Sequence, residues 1–194
     1  EIYYTRKGTD TRRPGEMAEV GKKILAGDAE KWALVPAADN GGNALGNKWR
    51  GGSEPFDHDD WDSGNDGVGY DQNADYDPHI GIDVDAEMND INQSVFVRIP
   101  FNVSASDKKK SNFMMLWMKY DDGFVAYLNG TRIANANATL NPAWNAGANG
   151  GHDDASAVTW VSFDVGKPIN RLKSGNNILA LPGLNSGHGS SAMP

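Results

Sequence analysis

The stretch FMMLWMKYDDGFVAYLNG, residues 113–130, decides the fold class of this 194-residue chain. Two apolar runs, FMMLWMKY and FVAYL, are separated by the turn sequence DDG, and the second run is followed by Asn129-Gly130. Short apolar runs that are bounded by turn residues predict β-strands, and Asn-Gly is the strongest short-range signal of a hairpin. The stretch therefore predicts antiparallel strands joined by tight turns.

The same pattern of short apolar runs between turn residues continues on both sides of this stretch. Upstream lies SVFVRIPFNV (94–103), in which Pro100 lacks an amide donor and so predicts an edge strand or a bulge. Downstream, further strands are predicted at 131–136, 158–165 and 177–184. In 94–103 the alternation places five apolar side chains on one face, namely Val95, Val97, Ile99, Phe101 and Val103. Many short strands between turn signals predict an all-β sandwich or barrel.

The first thirty-one residues differ from the rest of the chain. Residues 1–15 predict a short strand followed by a turn rich in Gly, Asp and Pro. Residues 16–31 predict the one helix, with Gly27 as its end and an apolar set at helical spacing: Met17, Val20, Ile24 and Leu25. We therefore expect an N-terminal extension over 1–31 and a sandwich over 32–194. Because the chain opens on Glu1 without an initiator Met, we expect it to be an excised piece of a longer protein.

Charge and composition exclude several classes of function. The formal net charge is −8, and residues 51–97 hold thirteen Asp or Glu but no Lys or Arg. This balance argues against nucleic-acid binding, which needs basic side chains, and against docking on an anionic membrane. No apolar run approaches the roughly 18 residues that a membrane-spanning helix needs. Without cysteine, disulfides, thiol nucleophiles and thiolate zinc sites are excluded.

The segment YDDGFVAYLNG (120–130) resembles the jelly-roll, galactose-binding-like β-sandwich modules that are attached to bacterial glycoside hydrolases and large surface proteins. Three further segments are similar to stretches of those modules and occur in the same order: FDHDDWDSGNDGVGY (56–70), SVFVRIPFNV (94–103) and SGNNILALPGLN (174–185). The resemblance covers 32–194 and implies a jelly-roll β-sandwich similar to a carbohydrate-binding module.

Two features depart from that resemblance or add to it. After Ser190-Ser191 the family has an acidic residue, whereas this chain has Ala192, so no role of that acid carries over. Residues 1–15 are similar to the end of a small β-domain that is found beside chitobiase-type enzymes. A remnant of a neighbouring module is therefore one interpretation of the N-terminal extension.

The acidic residues predict structural calcium as the cofactor. Asp121 and Asp122 are adjacent carboxylates, which repel unless a cation or hydrogen-bond donors neutralise them. They look like the calcium-holding turn of yeast flocculin-type lectin modules; the alternative is a turn in which they cap backbone N–H groups. DQNADYD (71–77) begins like an EF-hand loop but departs from it at Tyr76 and Ile82. The further candidate ligands are Asp71, Asn73, Asp75, Asp83 and Asp85, and the alternative for them is a solvated acidic surface.

Aromatic and amide side chains in polar loops predict a sugar-binding site. The apolar face of a sugar stacks on an aromatic ring, and amides bind the hydroxyl groups around it. The candidate ligand-binding residues are Trp144, Asn145, Tyr70, Tyr76, Asn185 and His188. The alternative for aromatic residues is the core of the sandwich or a plug beneath a loop, which we expect for Trp49, Trp61, Trp117 and Trp160.

The predicted function is non-catalytic carbohydrate binding within a larger secreted or cell-surface protein. We expect no catalytic residues, although 26 acidic residues make chance pairs of carboxylates unavoidable. The expected partners are a polysaccharide or oligosaccharide, preferably neutral or cationic, and other modules of the same chain, with the module itself monomeric. The alternatives are a structural spacer that binds no sugar and a small jelly-roll enzyme that degrades polysaccharide.

Overall fold

The computed structural model describes residues 1–5, 21–72, 77–111, 113–166 and 170–191. Within these ranges the strands are β1 (Ile2–Thr5), β2 (Gly21–Leu25), β3 (Lys31–Leu34), β4 (Asp62–Gly64), β5 (Gly67–Gly69), β6 (Ile80–Asp83), β7 (Ser94–Val103), β8 (Phe113–Met118), β9 (Gly123–Leu128), β10 (Thr131–Ala136), β11 (Val161–Asp164) and β12 (Gly175–Leu184). Three short α-helices are α1 (Asp85–Met88), α2 (Ala105–Lys110) and α3 (Asp154–Ala157), and single 3-10 turns lie at Gly42–Ala44, Lys48–Arg50 and Asp77–His79. The all-β fold class is confirmed.

Two antiparallel sheets form a β-sandwich. The larger sheet has six strands in the order β10-β9-β12-β7-β3-β4, and the smaller has four in the order β11-β8-β1-β2. A parallel pair, β5 and β6, lies beside them. The core contains side chains from both sheets, such as Val97 and Leu181 of the larger sheet and Ile2 and Leu116 of the smaller one.

Strand β7 confirms the predicted alternation and adds a second buried face. Its five predicted apolar residues all belong to the core between the sheets. On its other face Phe96 and Arg98 are also buried, because Phe96 joins a separate apolar cluster with Trp49, Trp61 and Tyr127. Pro100 does not mark an edge strand, since β7 lies between β12 and β3. The pairing of β3 with β7 ends at Trp32↔Arg98, however, so Pro100 is paired only on the β12 side.

The β9–β10 hairpin forms at the predicted Asn129-Gly130 turn. Both residues have positive φ, 49° for Asn129 and 81° for Gly130, which is the conformation that a two-residue hairpin turn requires. The Asn129 side chain also accepts a hydrogen bond from the Ile178 backbone N–H at 2.9 Å and donates one to the Arg171 carbonyl at 2.8 Å. The turn is thereby bound to the start of β12.

The helix predicted over 16–31 is wrong at residues 21–25, which form strand β2. This strand pairs antiparallel with β1, with Ile2 opposite Leu25 and Tyr3 opposite Lys23. Pairing between these two segments supplies the backbone hydrogen bonds that the helix would have made. Residues 16–20 lie outside the described part of the chain.

The acidic stretch of 51–97 contains regular structure among its described residues. Strands β4, β5 and β6 and helix α1 all lie in it, and Tyr70 and Val84 reach the core between the sheets. Among the described residues, no helix is long and apolar enough to cross a membrane.

Candidate functional site

One end of the sandwich gathers several of the residues that the sequence singles out. There the Asp121-Asp122 pair precedes β9, and Asn185 follows β12. Strands β9 and β12 are neighbours, with Gly123 opposite Leu184, so the two loops meet. The backbone N–H of Asp122 donates to the carbonyl of Leu184 at 3.3 Å, and the peptide bond between the two aspartates is cis.

Asp122 binds two other loops through its carboxylate. Its Oδ1 accepts a hydrogen bond from the backbone N–H of His152 at 2.9 Å. Its Oδ2 accepts from the backbone N–H of Ser186 at 2.6 Å and from the Ser190 hydroxyl at 3.0 Å. The side chain is buried, which by itself raises the pKa of Asp122, but the hydrogen bonds from Ser186, His152 and Ser190 lower this pKa overall. The predicted alternative, in which the aspartates cap backbone N–H groups, thus describes Asp122, although the N–H groups lie in distant loops.

Tyr70 and Asn185 form a second part of the same network. The Tyr70 hydroxyl donates to the carbonyl groups of His188 and Ser190, the former at 3.3 Å. Asn185 Nδ2 donates to the Tyr70 hydroxyl at 3.2 Å and to the Ser190 carbonyl at 2.7 Å. Both residues are buried, with exposed fractions of 1% and 0%. Their side chains therefore lie within the network and not on the surface.

Burial and nearby carboxylates both act on the Tyr70 hydroxyl of the network. Burial, with the negative charges of Asp85, Asp90 and Asp121, raises the pKa of Tyr70 to about 12. Asn185 Oδ1 is buried and has no hydrogen-bond partner among the described residues, although buried polar atoms are normally paired. In the described ranges, no three His, Cys, Asp or Glu side chains form a group that could hold a metal ion. A cation here would therefore need amide or carbonyl oxygens beside the carboxylates of Asp121 and Asp122, and the unpaired Asn185 Oδ1 fits that need.

The other predicted calcium ligands differ in where they lie. Asp85 adds negative charge at Tyr70. Asp83 is exposed, and its carboxylate accepts the backbone N–H of Asp85 at 2.9 Å, at the start of α1. Asp71 follows Tyr70 directly in the chain. Asn73 and Asp75 lie outside the described part of the chain, as does Tyr76 of the predicted sugar site.

The predicted sugar-binding residues of the two loops are only partly exposed. Trp144 is half-buried against the apolar cluster on the outer face of the larger sheet, and its carbonyl accepts a hydrogen bond from the Ser94 hydroxyl. Asn145 and His188 are exposed, and His188 Nδ1 lies 3.1 Å from the carbonyl of Ile91. Of the tryptophans expected in the core or beneath loops, Trp49 and Trp61 are buried, Trp117 is half-buried and Trp160 is 41% exposed.

Sequence reasoning missed the part that His152 plays. Besides its bond to Asp122, its ring stacks on Tyr120 with ring centroids 4.2 Å apart, and its Nδ1 lies 2.8 Å from the Tyr120 carbonyl. No local pattern connects His152 with a turn thirty residues earlier. For Ser186 and Ser190, the available signal was their place in a polar segment directly after β12.

Comparisons with known proteins give solved structures only. No protein-family model and no curated protein sequence matches the chain. A β-glucuronidase from an uncultured Clostridium species is 17% identical, with a TM-score of 0.48, over 84% of this chain and 22% of that one. A Ruminococcus gnavus β-glucuronidase is 12% identical, with a TM-score of 0.47, over 84% and 21%. A calcium-binding mutant of Bacteroides uniformis β-glucuronidase 2 is 14% identical, with a TM-score of 0.44, over 82% and 14%.

These similarities concern a small part of much larger chains. The chain spans about a fifth or less of the solved chains that it matches. At such low identity and TM-score, nothing about sugar or calcium carries over to this chain from those proteins.

Proposed function

We propose that this chain is a non-catalytic carbohydrate-binding module of a larger secreted or cell-surface, carbohydrate-active bacterial protein. We further propose that its sandwich is a jelly roll of the galactose-binding-like kind. The observation that carries the proposal is the carboxylate of Asp122, which holds the loops of His152 and Ser186 together at one end of the sandwich. Loops that are fixed before the ligand arrives lose less conformational entropy on binding.

These fixed loops present groups that suit a sugar. Trp144 offers a half-exposed ring, and the exposed side chains of Asn145 and His188 offer donors and acceptors for hydroxyl groups. The loop that holds Trp144 and Asn145 is joined to the loop after β12, because the backbone N–H of Ala148 donates to the Asn185 carbonyl at 2.9 Å. The two loops therefore form one surface.

The test is retention of the purified chain in affinity gels that contain soluble polysaccharides. The panel is galactan, xylan, mannan, arabinan, mixed-linkage β-glucan and polygalacturonate, each with calcium and with a chelator. We expect retarded migration on at least one polymer, relative to an albumin standard. Unretarded migration on every polymer under both conditions contradicts carbohydrate binding.

We also propose that a structural calcium ion binds beside Asp121 and Asp122. Two consecutive buried carboxylates, the negative field at Tyr70 and the unpaired Asn185 Oδ1 support this proposal. A bound calcium ion would supply positive charge and accept several oxygen ligands. The ion would stabilise the native state by mass action, about 2.7 kcal/mol at a hundred times its Kd.

Matched variants distinguish the aspartate pair from the acidic stretch as the calcium site. We expect calcium to raise the melting temperature of the wild type and of Asp83→Asn, but not that of Asp121→Asn. Isothermal titration of calcium into chelator-treated protein should give binding heat for the wild type and Asp83→Asn, but not for Asp121→Asn. Equal heats for Asp121→Asn and the wild type would place any calcium elsewhere.

A structural spacer is the second candidate function. The burial of Tyr70 and Asn185 favours it, because these two residues stabilise the loop end instead of meeting a ligand. In that case the module would support neighbouring modules of the same chain, and the affinity gels would show no retention.

A further inference from the structure

The outer face of the larger sheet is only partly covered. The outward side chains of β7 include Phe96 and Arg98, which are buried, and Pro100 and Asn102, which are exposed. The part of the outer face that other residues cover therefore ends between Arg98 and Pro100, where the pairing of β3 with β7 also ends. A cleft of about 630 Å³ opens at this point. That volume lies within the range of small-molecule sites.

One wall of the cleft is aromatic. Trp32 meets His58 edge-on with ring centroids 4.5 Å apart, and Phe56 lies parallel to His58 with centroids 6.4 Å apart. All three side chains are half-buried, so part of each ring faces the open space. The Arg98 guanidinium lies 4.3 Å from the ring centre of Phe56 and fixes that ring from the sheet side.

The charges of this wall are nearly balanced. Arg98 donates from Nη2 to both carboxylate oxygens of Glu54, at 2.9 and 3.0 Å, and from Nη1 to the Trp49 carbonyl. Glu54 is thus neutralised by a buried arginine, and Lys173 adds an exposed ammonium at the rim. The cleft therefore lacks the negative charge that dominates residues 51–97. Its one uncompensated charge belongs to the exposed Lys173, and the aromatic wall itself suits a ligand without charge.

The floor of the cleft offers amides that have spare hydrogen-bonding capacity. Asn102 and Asn176 are opposite each other on β7 and β12, both are exposed, and Asn102 Nδ2 donates to Asn176 Oδ1 at 3.0 Å. This bond leaves the Asn102 carbonyl oxygen and the Asn176 amide group facing solvent. In contrast, Asn177 beside them is buried, and its side chain makes hydrogen bonds to Lys173 and Gly175.

We infer that this cleft is the glycan-binding site, with a neutral pyranose unit held against Trp32, His58 and Pro100. The hydroxyl groups of the sugar bind Asn102, Asn176 and Lys173. An aromatic wall beside a pair of free amides matches the two surfaces of a sugar ring, one apolar and one rich in hydroxyl groups. The inference rests on the proposed carbohydrate binding but not on the loop end as its location. It places the sugar on the sheet face, and the loop end with Trp144 is the competing location that the test distinguishes.

The test compares two variants on the polymer that retains the wild type best. Asn102→Ala/Asn176→Ala removes the exposed amide pair, and Trp144→Ala removes the aromatic ring of the loop end. We expect the double variant to raise the Kd at least about tenfold and Trp144→Ala to change it less than twofold. Because Asn102 and Asn176 are exposed, the unfolding midpoint of the double variant in urea should match that of the wild type.

Three outcomes would overturn the inference, each in a different way. If the double variant binds like the wild type and Trp144→Ala loses affinity, the site is at the loop end and the proposed function stands. If the wild type is retained on polygalacturonate alone, the ligand is anionic and the neutral class is wrong. If the wild type is retained on no polymer, the proposed function fails together with this inference.

Discussion

Replacement of Asp122 by Asn tests whether this carboxylate holds the loop end together. The wild-type carboxylate is 3% exposed and accepts hydrogen bonds from His152, Ser186 and Ser190 at 2.9, 2.6 and 3.0 Å. An asparagine keeps one oxygen, so its amide N–H₂ must face at least one of these donors. Hydrogen bonds to a charged acceptor contribute about 1.5–3 kcal/mol each, and a buried unpaired donor costs about 1–3 kcal/mol. We therefore expect Asp122→Asn to lower the free energy of unfolding by about 3–5 kcal/mol.

The assay is urea unfolding at pH 7 in the presence of a chelator, so that no calcium effect enters. Asp59→Asn is the matched control, because Asp59 is exposed and its replacement removes the same charge. We expect the control to change the free energy of unfolding by less than about 0.5 kcal/mol. An Asp122→Asn effect as small as that of Asp59→Asn would refute the role assigned to this carboxylate.

The pH dependence gives a second check on Asp122. Its pKa in the folded state lies below the usual 3.8, so its ionised form stabilises the native state at pH values above 3.8. This contribution is lost as the pH falls through the lowered pKa. The difference between the wild type and Asp122→Asn should thus stay constant from about pH 5 to 8 and shrink below about pH 4. A difference that is as large at pH 2 as at pH 7 would contradict the assignment.

Three further substitutions probe other parts of the fold by urea unfolding. Burial lowers the pKa of Lys31 from 10.5 to about 8, so the charged form of Lys31 destabilises the native state until the pH rises above this value. Between pH 7.5 and 10.5 the free energy of unfolding of the wild type should therefore rise by about 3 kcal/mol relative to that of Lys31→Met. Parallel dependences of the two free energies on pH would disprove this. Asn129→Ala should lower the free energy of unfolding by about 2–4 kcal/mol, because alanine is strained at this positive φ and the side-chain hydrogen bonds are lost. Asn129→Gly should lower it less, because glycine adopts positive φ without strain. Equal losses for the two variants would contradict a contribution from backbone strain. Trp49→Ala should lower the free energy of unfolding by about 3–5 kcal/mol, because the ring is buried and its centroid lies 4.0 Å from that of Phe96. Replacement of the exposed Trp160 by alanine should lower it by less than about 1 kcal/mol. Similar losses for the two variants would contradict the dependence on burial.

Features that depend on neighbours in the chain were predictable from the sequence. The Asn129-Gly130 turn needs only two residues that tolerate positive φ, and the hairpin forms there. The inward face of β7 follows from alternation within one strand. Both are local rules, and a single sequence contains the information that they need.

Features that depend on distant partners were not predictable. Residues 21–25 form a strand because β1 pairs with them, and the apolar spacing within 16–31 does not reveal that partner. Phe96 and Arg98 are buried because a cluster with Trp49 covers the outer face of β7. The sequence predicts sugar contacts for Tyr70 and Asn185, yet the Asn185 amide donates a hydrogen bond to the Tyr70 hydroxyl across 115 residues. Loop positions reveal residue chemistry, but not which loops meet.

The position of β1 in the smaller sheet has a consequence for biosynthesis. This strand lies between β8 and β2, and Ile2 pairs with Leu116, about 110 residues later in the chain. At about 5–20 residues per second, a ribosome needs roughly 6–20 s to deliver that partner. One side of β1 stays unpaired throughout this time, and sheets built from such distant segments fold slowly. The smaller sheet can close around β1 only after β8 has left the ribosome, so this strand waits for a partner from the middle of the chain.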